Sequence, residues 1–257
     1  MTTARALAPG IPADYYDRIF EHEERHWWYL GLRRVSAALL GDRLRRPGSR
    51  VLDAGCGTGG FLRWLLDHGS FASAAGIDVG SAAIELARAR VPEADLRVAA
   101  MHDLPFADAA FDLVVTNDVL QHVHEDDVGA SLLELRRVLA PAGTLLVRTN
   151  GARRLRRERD DWRAYDRRTL VETLAAAGLE CERVTYVNCA LSVYGLLRGR
   201  VPHAPTESGD GIPTREPGRL ASAVGGALLR AEARWLARPG RTLPYGHTLL
   251  AVATPRR

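Results

Sequence analysis

Lysine is missing from these 257 residues altogether: every one of the 35 basic positions is arginine, set against 31 acidic ones for a formal net charge of +4. Together with abundant alanine this reads as high-GC codon bias, so a pI near 9.2 is weak ground for inferring a polyanionic partner. Cysteine is scarce as well. Cys56, Cys181 and Cys189 are an odd number with no CxxC pair, which argues against a disulfide framework and a zinc ribbon and leaves three reduced thiols. No apolar run approaches the roughly 20 residues that cross a bilayer, and the opening MTTARALAPGIPADYY has no sustained apolar stretch of the secretory-leader kind. A cytoplasmic protein with no membrane partner is expected. No internal repeat is visible.

The apolar share of 46% and charged share of 26% are those of a globular chain able to bury a full core. After residue 50 the pattern alternates. Strands are predicted at Arg50 to Ala54, Ala74 to Asp78, Leu96 to Ala99, Phe111 to Thr116 and Thr144 to Thr149, with helices at Gly60 to His68, Ser81 to Arg90 and Asp127 to Leu139. Such alternation with short loops predicts an α/β fold, a parallel sheet covered on both sides. Further on come a helix at Thr169 to Ala177, a strand at Cys181 to Val187 and a last strand at His247 to Ala253. Between those two strands, residues 188–244 carry helical pieces at Leu191 to Leu197 and Leu220 to Ala237 and a Pro/Gly-rich connector, VPHAPTESGDGIPTREPG. An insertion there is expected to cap the sheet's edge. Residues 1–45, rich in aromatics, are expected to form helices over the sheet, ahead of a main domain at 46–257.

The stretch VLDAGCGTGGFL, residues 51–62, joins a strand to a helix through four glycines. Glycine opens backbone angles closed to other residues and leaves no Cβ in the way, so a ligand can lie against the main chain at a helix start. The spacing Gly55-x-Gly57-x-x-Gly60 also fits the dinucleotide fingerprint, with Asp78 at the distance where an acid binds ribose hydroxyls. Glycines alone do not choose between ligands.

The neighbourhood adds Asp53 within the strand, then GIDVGSAAIELAR, HDLPFADAAFDLVVTNDVLQHV and LRRVLAPAGTLLVRTN. In these ordered motifs, from about Tyr16 to Ala190, the chain resembles the class I S-adenosylmethionine (SAM) dependent methyltransferases. The resemblance implies a doubly wound, mainly parallel seven-stranded sheet with the last strand antiparallel, N-terminal lid helices and a helical cap. It further implies that SAM is converted to S-adenosylhomocysteine while a small organic acceptor is methylated on O, N or C, a tailoring step in bacterial secondary metabolism. Asp53, Ala54, Gly55, Cys56, Gly57 and Gly59 would receive the methionine end, Asp78 and Val79 the ribose, and Met101, His102 and Leu104 the adenine. Asn117 at the end of the fourth strand and Arg33 complete the cofactor set. Ala100 stands where the family often has an acid, which leaves adenine to backbone groups.

Methyl transfer needs placement, desolvation and removal of the acceptor's proton, and no metal. His122 and His124 in TNDVLQHVHEDD are the candidate bases, with Tyr29 as a third proton-handling group. Trp28, His26, Tyr165 and Asn150 are candidates for the acceptor wall. His22-Glu23-x-x-His26 matches the zinc-protease signature and would put both histidines on one side of a helix, but no third ligand is apparent. The arginine-rich residues 151–168 alternate with acids, which favours a solvated surface over an RNA track. The alternatives carried forward are a SAM-binding protein that does not methylate and an RNA methyltransferase. The oligomeric state is not readable.

Overall fold

Seven strands, each alternating its buried side chains between two faces, form a single sheet in the computed structural model, which describes residues 14–151, 165–197 and 218–256. The strands are β1 (Ser49–Ala54), β2 (Phe71–Asp78), β3 (Asp95–Val98), β4 (Phe111–Asn117), β5 (Leu139–Asn150), β6 (Leu179–Val187) and β7 (Thr248–Pro255). Their spatial order is β3-β2-β1-β4-β5-β7-β6. β1 to β5 pair in parallel, and β7 runs antiparallel to both β5 and β6. The expected fold class is therefore the one observed. Strand order reverses between β1 and β4, and the carboxyl ends of those strands bound the crevice where open α/β sheets bind ligands.

Helices cover both faces. One face, with Leu52, Val114, Leu145 and Val147, packs under α5 (Val128–Val138) and α6 (Arg167–Ala176) through Leu132, Leu135, Leu170 and Leu174. The opposite face, with Val51, Leu113, Val115 and Leu146, meets α3 (Gly60–His68), α4 (Ser81–Arg90), α2 (Trp27–Leu40) and α8 (Arg219–Leu236). The period-two switch of side chains along each strand divides the core this way. α8 lies against α2, with Leu229 and Leu236 in one apolar cluster with Leu32, Val35 and Leu39. Two shorter helices stand at the carboxyl end of the sheet, α1 (Tyr15–His22) and α7 (Cys189–Leu197).

Several boundaries move for local reasons. β5 starts at Leu139, well before Thr144, because Leu139 pairs with Phe111 across an irregularity in the register. α6 starts at Arg167 because Asp166 and Thr169 form a reciprocal capping box. The zinc-like spacing is corrected: α1 ends at His22, a turn follows, and His26 is the N-cap of α2, its ring accepting from the Trp28 amide at 3.2 Å. The two histidines thus share no helix. The arginine-rich segment at 152–164, the connector up to residue 217 and the first thirteen residues lie outside the described part. No described helix is long and apolar enough to cross a membrane.

Candidate active site

The glycine turn is built from the backbone outward. The amides of Gly55 and Cys56 both donate to the Ile77 carbonyl at 2.8 Å, tying the end of β1 to β2. Gly55 has φ +89° and a Cβ there would overlap Val119, so the turn closes only without a side chain. Gly57, at φ +52°, is different: a Cβ there meets no protein atom within 4 Å. Its amide donates to Asp78 Oδ2 at 2.9 Å, while Gly80 N–H, at 2.9 Å, and the Tyr16 hydroxyl, at 3.4 Å, donate to Oδ1. Burial raises the Asp78 pKa, and those hydrogen bonds oppose the rise. Gly59 is the N-cap of α3, Ala54 and Cys56 are buried behind the turn, and Val79 is exposed beside Asp78.

Asp53 stands at the centre of this arrangement, 1% exposed, with its Oδ1 buried and without a hydrogen-bond partner. Burial pushes its pKa up to about 7; the Arg148 charge lowers it, and Asp78 and Glu23 add to the rise. Across the crevice, both amide atoms of the Asn117 side chain are likewise buried and unpartnered. Next to it Asp118, held at φ +57°, receives Arg148 in a two-pronged pair at 2.9 and 2.8 Å.

A second cluster, not found from the sequence, locks the N-terminal helices to the turn. Glu23, buried between α1 and α2, accepts from the Thr58 hydroxyl and pairs with Arg90, with Arg33 Nη2 at 3.8 Å. Arg90 also donates to the carbonyls of Thr58 at 2.9 Å and Phe20 at 2.7 Å and meets Glu24 at 3.1 Å. Arg33 is thereby committed to Glu23 rather than presented outward. Tyr29 lies within electrostatic reach of Glu23, Asp118 and Arg148, and burial raises its phenol pKa well above the usual value.

The carboxyl ends of β5, β6 and β7 gather the remaining candidates. Trp28 stacks on His247 at 5.2 Å and 10°. Asn150 is buried opposite Thr248, and Tyr165, 1% exposed, bridges Gly151. His26 is buried against the rings of Trp27 and Tyr29. His122 is exposed after β4, and His124 uses Nδ1 to accept from the Asp126 amide at 3.4 Å. Met101 belongs to the core cluster with Ala54 and Ile77, and His102 next to it is half-buried. Beyond them Ser192, His247 and Glu232, unremarked in the sequence, form one hydrogen-bonded group around Asn188. No spacing signal announces them, because they come from three separated elements.

An acidic crevice over a bare backbone turn suits a cationic ligand with vicinal hydroxyls. Residues 52–147 match the family model of the methyltransferase domain. A malonyl-(acyl-carrier protein) O-methyltransferase of Pseudescherichia vulneris is 35% identical over 185 residues, 67% of this chain and 68% of the relative. That of Enterobacter lignolyticus is 38% identical over 164 residues, 63% of this chain and 60% of the relative. With the Serratia marcescens protein at 51%, the chain spans from about half to just over two thirds of the length of these relatives. Geranyl diphosphate C-methyltransferase from Streptomyces coelicolor, crystallised with Mg2+, geranyl diphosphate and S-adenosyl-L-homocysteine, superposes with a TM-score of 0.58 at 16% identity, over 95% of this chain and 85% of that one. That likeness is one of fold.

Proposed function

This chain belongs to the SAM-dependent methyltransferase family, and from that premise we propose that it transfers the methyl group of SAM to a small organic acceptor bound over the ends of β4, β5 and β7. The observation that carries this is the unpartnered, buried Oδ1 of Asp53 beside the open backbone of Gly57. The residues fit the cofactor: Asp53 accepts from its ammonium, the turn from Ala54 to Gly59 lies along its methionine end, and Asp78 with Val79 takes the ribose. Met101 and His102 border the adenine and Asn117 closes the crevice. When bound, the sulfonium supplies a methyl group already activated for in-line displacement.

The protein's own part is to place, dry and deprotonate. Arg33 holds Glu23, which fixes the turn through Thr58. Trp28, His26, Tyr165 and Asn150 wall the acceptor side. Among the proton-handling groups, Tyr29 is half-buried with its pKa raised, which makes it a donor; His124 serves the turn at Asp126, and His122 stands at the mouth. A small-molecule tailoring step in secondary metabolism is the acceptor class proposed. The names of the curated relatives favour a second reading, methylation of a carrier-bound malonyl carboxylate. Calorimetric titration with SAM, S-adenosylhomocysteine and NAD tests the cofactor. Saturable binding of the first two and none of NAD is expected; the opposite order refutes the proposal.

A further inference from the structure

A carboxylate has two oxygens and about four lone-pair sites to offer. Those of Asp78 are largely taken. The Gly57 amide donates to Oδ2 at 2.9 Å, the Gly80 amide to Oδ1 at 2.9 Å and the Tyr16 hydroxyl to Oδ1 at 3.4 Å, with a smaller contribution from the Val79 amide. The vicinal hydroxyls of a ribose bring two further donors. At least five donors then seek about four places, and one of them has to yield.

The amides are the fixed members of this set. Gly57 follows Gly55 and Cys56, both tied to the Ile77 carbonyl at 2.8 Å, and Gly80 is the N-cap of α4. The Tyr16 contact is the longest of the three, lies beyond the usual range for a hydroxyl donor, and depends on a side chain alone. Burial and the adjoining Asp78 charge both raise the Tyr16 phenol pKa, so the hydroxyl keeps its proton and acts toward the carboxylate only as a donor. The helix that carries it is bolted down. One turn beyond Tyr16, the Arg90 guanidinium sits 3.9 Å over the Phe20 ring and donates to the Phe20 carbonyl at 2.7 Å, while Glu23 accepts from the Thr58 hydroxyl of the glycine turn. Gly80 makes room for the phenol, since a Cβ there would stand 2.6 Å from the Tyr16 hydroxyl. What can give way is therefore the tyrosine side chain, not α1.

We propose, resting on the methyl-transfer reading above, that the Tyr16 hydroxyl and one ribose hydroxyl of the cofactor compete for the same lone pair of Asp78, so that Tyr16 sets the affinity of the site for the nucleoside. Binding then exchanges one hydrogen bond to Asp78 for another instead of adding one. The displaced hydroxyl turns to water, which its half-buried position allows. SAM and S-adenosylhomocysteine carry the same ribose, so the exchange loosens the hold on both and favours release of the product over its retention.

The test reads binding, not turnover. The full chain and its Tyr16→Phe variant, which keeps the ring over Gly80 and so the packing of α1, are titrated calorimetrically with S-adenosylhomocysteine and with its 2′-deoxy and 3′-deoxy analogues. S-adenosylhomocysteine should bind the variant about three- to tenfold more tightly than the parent, the worth of one ordinary hydrogen bond. That gain should vanish with at least one deoxy analogue, because a ligand bringing a single hydroxyl leaves Tyr16 undisturbed. Equal or weaker binding of S-adenosylhomocysteine by the variant overturns the proposal and makes Tyr16 a ligand of the ribose or a bystander. A gain of the same size with all three ligands also overturns it, since the effect then lies in the packing of α1 and not in Asp78. Failure of the unmodified chain to bind S-adenosylhomocysteine sinks the methyl-transfer reading itself, and the competition with it.

Discussion

Replacing Asp53 by asparagine should raise the stability of the ligand-free protein at alkaline pH while removing its affinity for SAM. The carboxyl group, ordinarily at 3.8, is pushed by burial to about 7. Between those two values the folded chain binds more protons than the unfolded chain, so stability falls as pH rises through the window and levels off above it. The gap sets a ceiling of about 4 kcal/mol on that loss. The asparagine variant has no such titration: its melting temperature should be flatter from about pH 4 to pH 8 and should exceed that of the parent at the upper end. With the cofactor's ammonium beside it, the carboxylate ionises more readily, so binding at about pH 6 should expel close to one proton, and affinity should rise about tenfold per pH unit up to the pKa. Calorimetry at one pH in two buffers of different ionisation enthalpy counts the proton directly. No proton release, together with unchanged binding by Asp53→Asn, would refute the reasoning.

Gly57→Ala separates the needs of the fold from those of the ligand. The new methyl meets no protein atom, so stability should drop only by the cost of a left-handed alanine, about 1 to 2 kcal/mol, yet SAM affinity should fall at least tenfold, about 1.4 kcal/mol or more. Gly55→Ala, which collides with Val119, should instead appear chiefly as a lowered melting temperature. Arg90→Ala leaves the buried Glu23 with the Thr58 hydroxyl and, at 3.8 Å, the Arg33 charge, and thermal unfolding should register a loss of about 3 kcal/mol or more; Arg90→Lys should not restore it, since one ammonium cannot reach Glu23, Thr58 and Phe20 together.

The sheet was legible because its strands are short apolar runs punctuated by glycine and aspartate, and because each parallel crossover carries its own helix period. α3 and α4 fall on the same residues in sequence and structure. The glycine turn, Asp53 and Asp78 were legible for a related reason: a local backbone shape demands particular residues at fixed offsets. The clusters around Glu23 and Ser192 had no such marker. Glu23 looked like part of a zinc signature, since nothing local says that α1 stops at His22 and turns its next carboxylate inward toward Thr58 and Arg90. Ser192, Glu232 and His247 are brought together by the antiparallel return of β7, a tertiary event that no sequence period encodes.

Charge supplies the last step. With pI near 9.2 the protein as a whole repels cations at neutral pH, yet the proposed cofactor is a sulfonium. At the crevice the balance is local: Arg148 faces Asp118, Arg90 and Arg33 face Glu23, and Asp53 and Asp78 are left as the acids beside the turn. Ion pairs of this kind cancel at short range, whereas Asp53, once ionised, exerts its field from a buried position without a paired arginine. Cation selectivity therefore follows from which carboxylates the arginines leave unclaimed. Disrupting the Arg148–Asp118 pair by Asp118→Asn should turn Arg148 toward Asp53, lower the Asp53 pKa and weaken SAM binding without touching the turn; proton release on binding would shrink in step, and unchanged values of both would refute the coupling.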